Sequence, residues 1–503
     1  MTETQPSEYK SIHEFDRSYA NKVMLILAGT VVVVMYIEGM LTPSLNSIAH
    51  GFGVTYAQVS LILSIYLVGG VAFTPIVGKL GDIYGKKKMM SIVLIIYAAA
   101  VSVTGFSPNL TFMIVSRFIQ GVGMTVMPLG MSLVREEFPK EMVPKAQALI
   151  SAMFGAGFAI SIPLGSFVSN DFGWRMTYHT AIPFVLLLSM LAIFVVRESR
   201  FRRPETKIDY YGAVLLAGLL SSFVFALSEG PTWGWVSLDT IGLLVIGAVL
   251  IVPLVLYEIR YTRKSGEAIL DFRLLAERNV MVANVVLSIA GMGMFLALQS
   301  MSIQFEQPIA PGYNLTILQT GLSLIPFAIA MLIIAPVAGS LVSKVGVKPL
   351  AISGSIVAGI GFILMAFAHS FIQMLSYEFI IGAGLSLLNA SLINLIVLTV
   401  NPRDMGLATA MNGTFRSVGS SIGAPIAGSI MTSIAVMYVI SGRSVSVPLQ
   451  GAFTDIYFIA GISFAVAALL TLFAREVLGK RRYTDRAKEI VTTGFEWSPS
   501  ESK

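Results

Sequence analysis

The chain contains no cysteine, which excludes disulfides, thiolate metal sites and cysteine nucleophiles and leaves the redox compartment unmarked. Charge is scarce as well. Asp, Glu, Lys and Arg make up 12% of the 503 residues, about half the usual share of roughly 25%. A soluble enzyme of this size could not cover its surface with so few. Residues 1–22 are polar and mixed in charge, without the basic start and short apolar core of a signal peptide, so the first apolar run is expected to be retained. No Walker-type Gly-Lys-Ser/Thr occurs, and Gly121-Val-Gly123 lacks the strand–turn–helix setting of a nucleotide fold, so direct ATP drive is unsupported. The apolar runs do not alternate at period two, as barrel strands would.

Long apolar runs are what the chain has instead. Hydrophobic residues make up 55% of it, and a membrane-crossing helix needs roughly 20 in a row. Spans are expected near 23–43, 57–77, 89–106, 110–134, 146–169, 177–196, 210–228, 238–258, 279–303, 317–342, 349–368, 371–399, 406–436 and 453–474. The 45 Gly and 21 Pro do not argue against helices, being commoner in membrane helices than in soluble ones. Basic residues fall in alternate loops: Lys79 and Lys86 to Lys88; Arg135, Lys140 and Lys145; Arg197, Arg200, Arg202, Arg203 and Lys207; Arg260, Arg263, Lys264, Arg273 and Arg278; Lys344 and Lys348; Arg403. The tails add Lys10, Arg17 and Lys22, then Arg475, Lys480, Arg481, Arg482, Arg486 and Lys488, whereas the other loops hold only Arg175 and Arg443. This asymmetry puts both termini in the cytoplasm and requires an even number of spans. The net charge of +6 therefore reports topology rather than nucleic-acid binding, and the basic clusters suit anionic lipid head groups. Trp174, Trp233 and Trp235 fall beside the expected outer face.

Shifting the chain by 261 positions gives a gapless internal match. Pro75, Gly78, Leu80, Gly85 and Lys87 meet Pro336, Gly339, Leu341, Gly346 and Lys348; Phe118, Ile119, Gly121 and Gly123 meet Phe379, Ile380, Gly382 and Gly384. The fold class expected is thus an all-α polytopic membrane protein of 14 helices, built as two parallel six-helix bundles with two helices inserted between them. The boundaries are a tail at 1–22, the first bundle at 23–200, the linker with its two helices at 201–278, the second bundle at 279–475 and a tail at 476–503. Two halves related in this way suggest a rocking-bundle transporter with its site at their interface.

Several motifs are more specific. Gly78-Lys-Leu-Gly-Asp82-Ile-Tyr-Gly85-Lys86-Lys87-Lys88 lies between the second and third spans, Arg117-Phe-Ile-Gln120-Gly121-Val-Gly123 in the fourth, and Gly157…Pro163-Leu-Gly165 in the fifth. With Gly173-Trp-Arg-Met-Thr-Tyr178…Pro183, Asp209-Tyr-Tyr-Gly212…Leu227-Ser-Glu-Gly230 and the run around Arg416, the chain resembles the major facilitator superfamily, in particular its fourteen-helix drug:proton antiporter branch. The resemblance covers most of 23–475 and implies alternating access, proton coupling and export of amphiphilic compounds. In the fifth span Ile162 and Ser166 replace expected glycines, and the first-span acid is Glu38 where the branch usually has Asp, displaced by about one position. In the loop motif Gly78 and Gly85 permit a tight connection. Asp82 is placed to accept from a helix N-terminus or to pair with a cation such as Arg135, latching the cytoplasmic side. The repeat carries Ser343 in its place, which makes the latch asymmetric.

Few ionisable groups interrupt the apolar runs: Glu38, Arg117, Glu378 and Arg416. An uncompensated charge at mid-membrane costs about 2.5–3.5 kcal/mol on insertion scales, so each should face a cavity or a partner. Glu38 and Arg117 lie at similar depth in oppositely running helices, which makes a pair geometrically reasonable; a static pair that fixes packing is the plain alternative. Glu378 occupies the repeat position of Arg117, with Arg416 as its nearest counter-ion by sequence. Gln120 and Asn389 are interior polar groups that either bind substrate or tie helices together, and Tyr36 is placed as an aromatic wall near Glu38. The reading is a proton-coupled exporter of small amphiphilic or drug-like compounds in the cell membrane, a monomer surrounded by lipid, without enzymatic activity, cofactor, metal or nucleic acid. A same-fold transporter of one defined metabolite or lipid is the alternative, and a non-transporting sensor is a second.

Overall fold

Peptide groups in hydrocarbon must be hydrogen-bonded within their own segment, which makes uninterrupted apolar runs helical. The structure, a computed structural model, describes residues 17–477 except 140, 199–201, 203, 204, 206, 266, 267, 402, 403, 441 and 442. The tail segments 1–16 and 478–503, with Lys10 and the basic cluster from Lys480 to Lys488, lie outside the described residues, as do Lys140, Arg200, Arg203 and Arg403.

In chain order the first helices are α1 (Arg17–Gly39), α2 (Leu45–Phe52), α3 (Tyr56–Tyr84), α4 (Lys86–Thr104), α5 (Leu110–Gln120), α6 (Val126–Glu137), α7 (Val143–Phe172) and α8 (Trp174–Val195). Then come α9 (Tyr210–Trp233), α10 (Leu238–Ser265), α11 (Phe272–Leu275), α12 (Arg278–Glu306), α13 (Ile317–Ser323), α14 (Ile325–Val345), α15 (Val347–Ala366), α16 (Phe371–Thr399), α17 (Met405–Ser433) and α18 (Gln450–Leu472). Among the described residues, 12 helical segments are long and apolar enough to cross a membrane. The other two expected spans coincide with α7 and α17, of 30 and 29 residues; α17 is diluted by Gly and Ser, which lowers its hydropathy. One departure from an all-helical fold is the hairpin of β1 (Ala435–Ile440) and β2 (Arg443–Pro448), paired antiparallel from Ala435 opposite Pro448 to Ile440 opposite Arg443. The expected span 406–436 ends early, at Ser433, where a run rich in β-branched residues (Val436, Val439, Val445, Val447) favours strands.

Packing divides the helices into two groups. α1 lies on α7 and α8, α3 on α5, and α4 on α8; α12 lies on α17 and α18, α14 on α16, and α15 on α16 and α18. The inserted helices α9 and α10 pack on each other, and α9 also lies against α3 and α17. Asp209 fixes their base: its Oδ1 accepts from Gly212 N at 2.8 Å and its Oδ2 from Ile269 N at 3.4 Å. Small residues bring backbones together inside each group. A Cβ at Gly121 would lie 2.5 Å from Gly70 N, and the chain tightens there into a 3-10 turn at Gly121–Thr125 that interrupts the fourth expected span.

The two groups touch where α3 lies along α17 and α7 along α13, and side chains bond them together at the end remote from the basic loops. Ser302 Oγ donates to Thr42 O at 2.7 Å, Ala57 N to Thr432 Oγ1 at 3.0 Å and Leu318 N to Asn170 Oδ1 at 3.3 Å. At the basic end, side chains added at Gly155, Gly406 and Gly413 would meet nothing within 4 Å. The bonds at the remote end hold the molecule shut there.

Candidate functional site

Arg117, near the end of α5, is sealed from solvent. Its Nε donates to Ile62 O at 3.0 Å, and its Nη1 to Ile37 O at 3.2 Å and to Gln120 Oε1 at 3.3 Å. The guanidinium sits 4.7 Å from the centre of the Tyr66 ring, a cation–π contact. Gln120 passes the network on, donating to Ala100 O at 3.4 Å and to the Thr104 hydroxyl. The expected common depth of Glu38 and Arg117 holds, since Ile37, next to Glu38, receives the guanidinium. The direct pair does not form through the remaining atoms: Arg117 Nη2 and Glu38 Oε2 are both buried without a hydrogen-bond partner.

Glu38 is 6% exposed, and Arg416 and Arg117 are the two cations near enough to act on its charge. Arg416 belongs to the other helical group. The sequence reading paired it with Glu378, and the structure corrects this. Both carboxyl oxygens of Glu378 are buried without a hydrogen-bond partner, so no ion pair joins it to Arg416. Glycines set the placements of Glu38 and Arg416. In α7 a Cβ at Gly157 would lie 2.7 Å from Val32 O and one at Gly165 2.4 Å from Met40 O, so the fifth-span motif lays α7 directly on the stretch of α1 that carries Glu38; Pro163 lies between them, inside α7. In α17 a Cβ at Gly419 would lie 1.8 Å from Ser288 O, and one at Gly291 of α12 2.5 Å from Arg416 O.

Tyr66 and Tyr97, not singled out from the sequence, and Tyr178 of the sixth-span motif close around the two charges, fully buried. Tyr36 stands instead beside Thr180 of α8. Asn389 is half-buried with Oδ1 unpartnered. Three buried acids escaped the sequence reading, Glu258, Asp271 and Glu306: the first and last sit at or just beyond the edge of an expected span and Asp271 between two spans, and only the continuation of α12 to Glu306 could have exposed the last. An unmet buried donor or acceptor costs about 1–3 kcal/mol. Glu38 Oε2 and Arg117 Nη2 thus form a polar centre with capacity for a proton, a water or a substrate group. A separate cavity of about 560 Å³ lies at the closed end, lined by Phe52, Gln58, Phe225 and Glu229 and remote from these charges.

In the loop motif the cation that meets Asp82 is Lys86, not Arg135. Lys86 Nζ stands 3.1 Å from Asp82 Oδ1 and 2.5 Å from Glu136 Oε1, while Arg135 is exposed. Gly85, at φ 111°, adopts a backbone that side chains rarely reach and folds Lys86 back over Asp82. The N-terminus of α4 is held by Glu198 rather than Asp82: Lys87 N donates to Oε1 at 3.1 Å and Lys88 N to Oε2 at 3.0 Å. Gly78 faces open space.

With two helical groups, a duplicated glycine turn and charges gathered between the groups, the family model for the Major Facilitator Superfamily matches residues 27–305 and again 280–499. The chain belongs to the Major Facilitator Superfamily. Within it, the chain is 25% identical over 426 residues to the multidrug transporter protein MdtP of Bacillus subtilis, covering 82% of this chain and 76% of that one. It is 27% identical over 389 residues to multidrug resistance protein 3 of the same organism, covering 76% and 73%. The fold is shared with the xylose transporter XylE of E. coli at TM-score 0.61 and 17% identity, over 92% of this chain and 99% of that one. This superfamily member is a multi-pass membrane protein.

Proposed function

We propose that the protein is a proton-coupled exporter of amphiphilic or drug-like compounds in the cell membrane, with fourteen spans and both termini in the cytoplasm. α7 and α17 are then the two further spans, 23–200 and 279–475 are the rocking bundles, and the basic end is cytoplasmic. One observation carries the reading: a buried carboxylate on α1 faces an arginine of the other helical group, with one of its oxygens unpartnered. A proton on Glu38 relieves the cost of a buried anion, and a cationic or polar substrate group competes for the same oxygen. Antiport then follows from exclusion at one carboxylate, with Arg416 sensing its charge from the second bundle. Arg117 and Gln120 fix the floor, Asn389 and Glu378 are candidate substrate contacts, and the Asp82–Lys86 pair braces the turn between α3 and α4 inside the first bundle. Multidrug relatives support the substrate class, and inward proton movement supplies about 2.3 kcal/mol per charge per 100 mV.

Proteoliposomes under an imposed pH gradient test it. Wild-type protein should accumulate a lipophilic cation against its gradient, and Glu38→Gln should lose accumulation while retaining exchange of a neutral substrate. Accumulation by Glu38→Gln with unchanged pH dependence would move the coupling site elsewhere.

A further inference from the structure

Glu306 ends α12 at the closed end of the molecule, where it is 8% exposed and its Oε1 has no hydrogen-bond partner. What it faces belongs to the other helical group. The Asn46 side chain of α2 stands beside its carboxyl, and Asn46 Oδ1 accepts from Tyr56 Oη of α3 at 3.0 Å. The surrounding contacts form the seal between the groups. They include Ser302 to Thr42, Gln299 Nε2 donating to Tyr56 O at 3.4 Å, and Gly428, whose Cβ would lie 2.5 Å from that same oxygen. The chain after α12 folds back over it, with Leu315 N donating to Phe305 O at 2.9 Å.

No described cation answers this carboxyl. Tyr56 is the titratable group coupled to it. The other charged or titratable groups on elements against α12 are His50 on α2, Arg273 on α11, Tyr377 and Glu378 on α16, Arg416 on α17, and Asp455 and Tyr457 on α18. None of these, nor Tyr313 in the following loop, acts on it. An ionised carboxylate enclosed by a neutral amide, a phenol and an unmet lone pair is costly to bury. The same group meets water as soon as the seal parts.

We propose that Glu306 is a second proton-binding site, which takes its proton from the solution outside the cell as the outer seal closes. The inference rests on the rocking of two bundles proposed above but not on Glu38 as the coupling carboxylate. Deprotonation holds the outer end open and protonation lets it shut, so external acidity favours the inward-facing state independently of what Glu38 carries. A ligand can shift such an equilibrium only by binding the two states differently. Burial in one state and hydration in the other provide that difference.

The absence of native cysteine permits a clean measurement. Spin labels at Asp171→Cys on α7 and Leu322→Cys on α13, both exposed positions flanking the seal, report its opening in nanodiscs by distance measurement. The wild-type protein should pass from a short to a longer distance as pH rises. Glu306→Gln should stay short at every pH, losing that response, and Asn46→Asp, which sets a second carboxyl opposite, should move the transition to more acidic pH. A wild-type distance independent of pH, a Glu306→Gln response like the wild type, or an unmoved transition in Asn46→Asp each overturns the proposal. The labelled pair carrying Glu38→Gln separates the two readings. If it keeps the wild-type response and Glu306→Gln loses it, Glu306 stands whatever transport shows for Glu38; if only Glu38→Gln loses it, Glu306 is structural.

Discussion

Arg117 and Glu378 occupy equivalent positions 261 residues apart, and both are sealed from solvent. The arginine is held by two backbone carbonyls and a glutamine; the glutamate has no hydrogen-bond partner on either oxygen. One position in the duplication has become a fixed strut and the other an unsatisfied acid.

Arg117→Lys keeps the charge but cannot reach three acceptors. Loss of the bonds to Ile37 and Ile62 should cost on the order of 3 kcal/mol, seen as a lower thermal unfolding midpoint in detergent. Glu378→Gln, by contrast, should leave the midpoint equal or higher. A destabilised Glu378→Gln would mean that the carboxyl has a role in packing.

Asp82→Asn should slow transport without reducing expression or membrane insertion. The substitution breaks the contact with Lys86 at the part-buried end of α3 and leaves Glu136 to hold the lysine. Turnover equal to wild type at equal protein level would reduce the motif to a topogenic loop.

Gly165→Val and Gly155→Val form a contrasting pair on one helix. The first forces a side chain into Met40 O, where overpacking costs about 1–3 kcal/mol or more and displaces Glu38; the second projects into open space. Transport should fail in the first and persist in the second. Equal loss in both would show that α7 tolerates no change of any kind.

A cysteine at Arg263, exposed on α10, should react with an impermeant maleimide only after the cells are opened. Labelling of intact cells would break the fourteen-span assignment.

Long-range features of the fold were legible because hydropathy and loop charge are averaged over many residues: the helices, the duplication and the glycine turns all survive errors of several positions. Pairing is a matter of single positions. The sequence placed Glu38, Arg117 and Arg416 inside the membrane, yet which cation faces which acid depends on helix rotation, and proximity in sequence joined Arg416 to Glu378 wrongly. Glu306 was lost differently. Hydropathy ended its span at 303, while hydrogen bonding carries α12 three residues further. Likewise Arg135 looked like the partner of Asp82 until the backbone at Gly85 brought Lys86 over it.

Glu198, just beyond α8, holds the start of α4, and Glu476, just beyond α18, holds the start of α15, accepting from Val347 N at 3.2 Å and Lys348 N at 2.9 Å. Each helical group is thus buckled to itself by the chain that leaves it, and neither buckle crosses to its neighbour. Whatever pulls on the inserted pair or on the carboxyl-terminal tail is taken up at these two fastenings before it reaches the core. The two groups meet instead along packed helices, α3 on α17 and α7 on α13, fastened at one end by hydrogen bonds that neither buckle shares.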